Sequence, residues 1–225
     1  MTSRLQKNLS NKKKFTVFLI GLGKAGYGNL KKKPSNKSHF YQLKKSNFFE
    51  IKYLFDINKK NLPGLKNSKN QNIIKSFKSF KKVNKTDITV ISVPVNSNLN
   101  IIKKLKKNKI LSEIIILEKP VAYNLVNFKK IQKILNDKIV LINFQRSWNK
   151  FYDKIFKDKK NLNIYHMYNN GFLNNCSHML SLLIKYFGRW KKYKLLHKDI
   201  KNKKDPNHSL ILYFNNNNKC ILDGM

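Results

Sequence analysis

Arginine and acidic residues are both scarce in this sequence. Of its 225 residues, 48 are lysine or arginine, yet the only arginines are Arg4, Arg146 and Arg189, and only 11 residues are acidic. The formal net charge of +37 is therefore carried almost wholly by lysine. Proteins that recognise phosphates or base edges favour the arginine fork, and these lysines are spread along the chain. The shortage of arginine argues against a specific nucleic-acid partner and favours compositional drift toward residues with AT-rich codons.

Cysteine is nearly absent, and long apolar runs are missing. Cys176 and Cys220 lie far apart and match no Cys/His ligand spacing, so we expect neither a metal site nor a disulfide framework. The stretch through Lys14 is polar and basic, and the apolar run at 15–20 is too short for a signal peptide or a membrane span. These absences predict a cytoplasmic protein that has no membrane segment.

Short apolar runs alternate with helical patterns along the first half. The runs are typical of strands buried on both faces of a sheet. They cover residues 15–20, 48–55, 88–93 and 114–117. Helical pieces are expected near 39–46 and 98–107, with Pro34 interrupting the first helix. This alternation predicts an α/β fold whose N-terminal Rossmann domain, residues 1–121, is a doubly wound parallel sheet.

The second half combines helices with later strands. Leu125, Phe128, Ile131 and Leu135 recur at helical spacing and predict a buried helical stripe. Further strands are expected at 139–144, 164–168, 209–214 and 220–222, and a helix around 179–186. We therefore assign residues 122–225 to a smaller α+β domain that binds substrate or supports oligomerisation.

A glycine motif follows the first strand directly. In GLGKAG at 21–26, the first glycine permits a tight turn, the second lets a pyrophosphate approach the backbone, and the third allows close helix packing. The helix N-terminus adds free N–H groups and partial positive charge. The motif alone is a weak signal, but its place between a strand and a helix strengthens it. The predicted cofactor-binding residues here are Gly21, Gly23, Lys24, Ala25 and Gly26.

Asp56 ends the second strand, where an acid accepts hydrogen bonds from the adenosine ribose. Its distance from Gly26 exceeds the usual ~20 residues, which we attribute to an insertion around Pro34. A carboxylate about 4 Å from a 2'-phosphate repels it by roughly 4 kcal/mol at an effective dielectric of ~20. Asp56 therefore favours NAD as the cofactor, while Lys59 and Lys60 can offset the repulsion and leave NADP open.

Five motifs in order give the chain its resemblance to a known family. They read GLGKAG, FDIN, ISVPVNSN, LEKPVAYN and NNCSHMLSLLIKYFG. This series resembles the glucose-fructose oxidoreductase and inositol dehydrogenase family, Gfo/Idh/MocA, over nearly the whole chain. The resemblance implies that Lys119, held between Glu118 and Pro120, reaches both cofactor and substrate. It also places Ser92 and Pro94 beside the nicotinamide, with Asn98 where many members have histidine.

The resemblance assigns acid–base catalysis to His178. Oxidising an alcohol requires a base for the hydroxyl proton while hydride leaves for the nicotinamide, and imidazole titrates near neutral pH. Asn174 stands where many members carry aspartate, and Asn175-Cys176-Ser177-His178 is similar to members that build surface polysaccharides. We therefore expect Asn174 and Asn175 to bind substrate. Arg146 follows a predicted strand end, where its guanidinium either holds a substrate anion or makes a structural ion pair.

Together these features predict an NAD(P)-dependent oxidoreductase acting on a hydroxyl of a sugar or nucleotide sugar, in cell-surface polysaccharide biosynthesis. Family members have a longer C-terminal sheet, which often forms a dimer interface, so we expect a shortened second domain and altered homo-oligomerisation. The first alternative is a degenerate member that binds a nucleotide or sugar without turnover. The second is a basic nucleic-acid-binding protein, whose affinity would fall steeply with salt.

Overall fold

The computed structural model describes residues 14–28, 34–62, 71–201 and 204–225. The basic leader before Lys14 and the lysines at 31–33 lie outside these ranges. The described residues form two compact units, divided between Ile142 and Asn143. No helix in the described ranges is both long and apolar enough to cross a membrane.

The first unit is a six-stranded parallel sheet in the order β3-β2-β1-β4-β5-β6. Its strands are β1 (Phe15–Ile20), β2 (Phe49–Phe55), β3 (Asn72–Ile74), β4 (Ile88–Ile91), β5 (Ile114–Leu117) and β6 (Ile139–Ile142). This is the strand order of the dinucleotide-binding Rossmann fold, in which the order reverses between β1 and β4. The predicted doubly wound parallel sheet is confirmed.

Helices cover both faces of this sheet. They are α1 (His39–Lys45), α2 (Val95–Lys107) and α3 (Leu125–Ile134). Two short 3-10 segments, Lys59–Asn61 and Phe77–Lys82, follow β2 and β3. Alternate residues of β1 enter different cores: Phe18 and Ile20 join one cluster, while Val17 and Leu19 join the other. A strand whose two faces are both buried has no polar face to present, which explains its continuous apolar run.

The first helix is divided by an insertion. Residues 23–27 make one helical turn, and then His39 N–H donates to Ala25 O at 3.0 Å and Phe40 N–H to Gly26 O at 2.9 Å. An uninterrupted helix would place each donor four residues after its acceptor, but here it stands fourteen after it, so ten residues are inserted. Removing those ten from the thirty between Gly26 and Asp56 restores the usual spacing of ~20.

The first unit extends further than the sequence suggested. We expected the domain boundary after Val121, but β6 pairs in parallel with β5, and the compact unit ends at Ile142. The expected stripe on α3 is also only half buried: Ile131 and Leu135 are each 3% exposed, whereas Leu125 is 64% and Phe128 40% exposed. The first turn of α3 therefore contributes little to the core.

The second unit packs two helices, α4 (Phe151–Phe156) and α5 (Ser177–Phe187), with a four-stranded sheet. The strands are β7 (Asn163–Tyr168), β8 (Lys192–His197), β9 (Ser209–Tyr213) and β10 (Lys219–Gly224). Their order is β7-β10-β9-β8, with β7 parallel to β10 and the other pairs antiparallel. Both cysteines are free thiols in this core, and burial raises the pKa of each to about 12.

Candidate cofactor and substrate sites

The candidate cofactor residues of the first unit meet at the carboxyl ends of four adjacent strands. Gly21 N–H donates to Phe55 O at 2.8 Å, at the ends of β1 and β2. Ser92 N–H donates to Ile20 O at 2.7 Å and Glu118 N–H to Ile91 O at 3.2 Å, which continue the ladder across β4 and β5. All the strands run in one direction, so these loops share the edge at which such sheets bind their ligands.

The three motif glycines are required for different reasons. Gly21 has φ +89°, and a Cβ there would lie 2.2 Å from Ser92 O; at Gly26 it would lie 1.8 Å from Gly21 O. Both contacts are with backbone, so neither position accepts a side chain. At Gly23, by contrast, nothing lies within 4 Å of an added Cβ. The protein leaves open the space above Gly23, as expected for a backbone that a pyrophosphate approaches.

The exposed part of this loop is the turn at Lys24 and Ala25, while Leu22 is fully buried beneath it. Leu22 therefore anchors the loop in the core. Lys24 and Ala25 remain accessible for binding, as the motif predicts.

Asp56 holds the glycine loop as well as ending β2. It is 5% exposed, and its Oδ2 accepts from Leu22 N–H at 2.6 Å and from Asn61 Nδ2 at 2.9 Å. Its Oδ1 accepts from Asn58 N–H at 2.7 Å. A carboxylate accepts about four hydrogen bonds, so these three donors leave room for about one more. The sequence predicted a ribose ligand, and the structure adds a role in fixing the loop.

Ser92 and Pro94 lead from β4 into α2. Pro94 is the N-cap of that helix and is exposed, and Ser92 is half-buried. One turn into α2, Asn98 is 1% exposed and donates from Nδ2 to Val121 O at 3.0 Å. Asn98 thus connects α2 to the segment that follows Lys119-Pro120.

Glu118 and Lys119 directly follow β5, and both are half-buried. The Glu118 carboxylate lies 2.6 Å from His39 Nε2, at the start of α1. A carboxylate accepts only, so the proton of this bond is on Nε2. No sequence motif marks His39. The pairing of His39 with Glu118 depends on where α1 resumes after the insertion. Sequence patterns do not give that position.

In the second unit, a π-helical turn at Phe172–Cys176 leads into α5. Serine and asparagine are residue types that cap helices, but Ser177 Oγ donates to Leu173 O at 2.5 Å and Asn175 Nδ2 donates to Asn169 O at 2.9 Å. The helix simply continues back into the π-turn, so α5 has no free end there to cap.

The capping acid of this turn comes from a distant loop. Asp205 accepts from Leu173 N–H at 2.7 Å and from Asn174 N–H at 2.9 Å. Gly171, at φ +93°, leaves room for this carboxylate, since a Cβ would lie 2.1 Å from Asp205 Oδ2. Asp205 therefore fixes the backbone that carries Asn174, Asn175 and, further along, His178.

His178 and Arg146 lie in the same unit. The His178 ring meets Phe144 edge to face, with centroids 6.2 Å apart, and its backbone O accepts from Ser181 Oγ at 2.9 Å. Arg146 belongs to a 3-10 turn, Gln145–Trp148. Burial and then the charge of Arg146 lower the pKa of His166, whose Nε2 is buried without a hydrogen-bond partner. Both effects favour the neutral form of the His166 imidazole, which the sequence did not suggest.

Comparison with known proteins decides the family. A sequence model described as "Oxidoreductase family, NAD-binding Rossmann fold" (GFO_IDH_MocA) matches residues 15–144. The chain belongs to the Gfo/Idh/MocA oxidoreductase family. Its cofactor class is therefore NAD, which confirms the expectation from the glycine motif and Asp56. No curated protein sequence matches this Gfo/Idh/MocA chain.

Solved structures share the fold of this family member at low sequence identity. The WlbA dehydrogenase from Chromobacterium violaceum, in complex with NADH and UDP-GlcNAcA, has a TM-score of 0.71 and 14% identity over 93% of this chain and 66% of its own. An oxidoreductase from Agrobacterium radiobacter, in complex with NAD+, L-tartaric acid and magnesium, has a TM-score of 0.69 and 14% identity over 94% and 66%.

The putative oxidoreductase YvaA from Bacillus subtilis has a TM-score of 0.68 and 12% identity over 93% of this chain and 63% of its own. The chain thus spans 63–66% of the length of these three structures. At such identities, the likeness concerns the fold alone.

Proposed function

We propose that this NAD-binding family member transfers hydride between nicotinamide and a hydroxyl of a sugar or nucleotide sugar. The observation that carries the proposal is the open position at Gly23, between two glycines that are closed by backbone. A glycine that served only to form the turn would not need open space beside it, whereas a dinucleotide pyrophosphate would need that space in order to approach the backbone. The residues of the loop therefore fit the cofactor that the family binds.

The substrate class is supported by the second unit and by one structural relative. Asn174, Asn175 and Arg146 offer amide and guanidinium donors suited to hydroxyl, carboxylate or phosphate groups. The WlbA dehydrogenase was solved with a nucleotide sugar that carries a diphosphate. Together with the similarity of residues 175–178 to surface-polysaccharide members, these features favour a nucleotide sugar and a role in polysaccharide biosynthesis.

The chemistry divides between the cofactor and the chain. When bound, NAD supplies a hydride acceptor. The chain must then take the hydroxyl proton, for which we propose His178, and must orient the nicotinamide half, for which we propose Lys119. Ser92, Pro94 and Glu118 complete the proposed cofactor-binding set at the carboxyl edge of the sheet.

Titration with NADH tests the cofactor step. We expect binding that persists at moderate salt, and a loss of roughly tenfold or more in affinity, worth ~1.4 kcal/mol, in Gly23→Val. The melting temperature of this variant should stay close to that of the wild type, because a Cβ added at this position meets no protein atom within 4 Å. Equal NADH affinity in both proteins would contradict the assignment of the loop.

Turnover tests the substrate class. A panel of nucleotide sugars is incubated with NAD, and NADH formation is followed by absorbance, with Lys119→Ala and His178→Ala as inactive controls. Turnover of a nucleotide sugar supports the proposal. NADH binding without turnover of any sugar favours the binding-only alternative, which the asparagine at 174 in place of an acid also favours. If the protein does not bind NADH and binds nucleic acid with an affinity that falls steeply with salt, the nucleic-acid-binding alternative is favoured.

A further inference from the structure

The segment that carries Lys119 is tied down on both sides. Before it, Glu118 N–H donates to Ile91 O at 3.2 Å and the Glu118 carboxylate meets His39 Nε2 at 2.6 Å. After it, Val121 O accepts from Asn98 Nδ2 at 3.0 Å. Two side chains from two different helices thus hold a stretch of four residues.

His39 reaches Glu118 because of the interrupted helix. The insertion removes ten residues from the helical path, and α1 resumes with His39 N–H on Ala25 O at 3.0 Å. His39 is therefore a direct continuation of the turn that begins at Gly23, although it stands sixteen positions later in the chain. Its side chain and that of Glu118 are only 18% and 21% exposed, so the bond between them is partly shielded from water.

Asn98 makes the second tie from a fully enclosed position. Its side chain is 1% exposed, and its Oδ1 is buried without a hydrogen-bond partner. A buried polar group that is half satisfied costs stability, so an apolar residue would suit this helix position better if packing were its only purpose. The bond to Val121 O is the contact that accounts for an asparagine here.

We propose that His39 and Asn98 are positioning residues that fix the backbone on either side of Lys119. Lysine has a flexible four-carbon stem and therefore gains precision only from a fixed backbone. His39 holds the carboxylate of the preceding residue through a charge-assisted hydrogen bond. Asn98 holds the carbonyl that follows Pro120. The inference rests on the proposed role of Lys119 toward the nicotinamide half of the cofactor.

Paired titrations with NADH and ADP-ribose test this role. ADP-ribose keeps the adenosine and pyrophosphate that Gly23 and Asp56 would bind, but it lacks nicotinamide. His39→Phe should weaken NADH about tenfold, as expected for the loss of a hydrogen bond to a charged group, and leave ADP-ribose unchanged. His39→Gln places an amide donor near the position of Nε2 and should recover most of the NADH affinity. The fluorescence of bound NADH should shift in the Phe variant and return in the Gln variant.

Asn98 has a matched control on its own helix. Asn98→Ala should reduce the affinity for NADH and not that for ADP-ribose. Asn100→Ala, at an exposed position two residues away, should change the affinity for neither ligand. Equal weakening of NADH and ADP-ribose would show a general structural role and overturn the proposal. Unchanged NADH binding in both His39→Phe and Asn98→Ala would also overturn it. If the wild type itself does not bind NADH, the proposed function fails. If the wild type binds NADH and the variants bind it equally well, only the positioning role fails.

Discussion

The two units build their candidate sites from different materials. In the first unit, the candidate cofactor edge consists largely of backbone: three glycines, strand-end amides and one buried carboxylate, on a sheet whose central strands are buried at their carboxyl ends. In the second unit, the candidate residues are side chains on a π-turn, on the first turn of α5 and on a 3-10 turn, and one entire strand, β8, is exposed. The first site depends mainly on the path of the backbone and on the glycines that permit this path. The second site depends on which side chains the turns and the helix carry.

This difference explains how the first unit accommodates a lysine-rich composition. The lysines of α1, α2 and α3 are exposed except for the half-buried Lys104, and such side chains lay their stems on apolar surface. Lys104 Nζ lies 4.7 Å from the centre of the Phe77 ring, and Lys44 Nζ lies 5.5 Å from that of Phe40. These helix lysines lie outside the glycine motif and the strand ends that form the candidate edge.

The largest expected effect concerns Gly26 in the backbone-built site. Gly26→Ala places a Cβ 1.8 Å from Gly21 O, a backbone atom that can yield only by moving the loop. We expect the free energy of unfolding of the first unit to fall by about 3 kcal/mol, measured by denaturant titration. Gly23→Ala is the matched control and should change stability by less than about 0.5 kcal/mol. Similar losses in both variants would remove the distinction between structural and ligand-facing glycines.

An intermediate effect is expected at Asp205 in the second unit. Asp205→Ala removes the acceptor of two backbone N–H groups, those of Leu173 and Asn174. By analogy with the loss of a helix cap, stability should fall by about 1–2 kcal/mol. Asp137→Ala, whose side chain is 65% exposed, serves as the surface control. NADH affinity should persist in Asp205→Ala, and its loss would show that the first site depends on this turn.

The smallest effect concerns pH and His166. Burial and the charge of Arg146 lower the pKa of His166 from its ordinary value of 6.5. The unfolded chain therefore binds this proton at a higher pH than the folded chain does, and His166 reduces stability progressively as the pH drops below 6.5.

Melting temperatures on both sides of pH 6.5 measure this contribution. His166→Gln should show a smaller decrease on acidification than the wild type does. Asn163→Gln, at an exposed and non-titrating position of the same strand, should follow the wild type. Identical profiles for the wild type and His166→Gln would rule out the depressed pKa.

Local patterns predicted most of the first unit and less of the second. Continuous apolar runs identified β1, β2, β4 and β5, because strands buried on both faces leave this signature. The same approach missed β8, whose six residues are all exposed and therefore form no buried face, and β3, which has only three residues. It also overestimated the buried stripe of α3. Helical spacing shows which residues share a face, but it does not show how much of that face another element covers.

The sequence by itself determined the chemistry of the cofactor edge: glycines after β1, an acid after β2 and Glu118-Lys119 after β5, each at a strand end that its own neighbours define. Tertiary structure decided the contacts between distant segments. His39 meets Glu118 across 79 positions, and Asp205 holds Asn174 across 31. Such pairs produce no periodic pattern in the sequence, because the packing of whole helices and strands brings the two residues together. Local conformation is encoded by neighbouring residues, whereas partner choice depends on the folded arrangement.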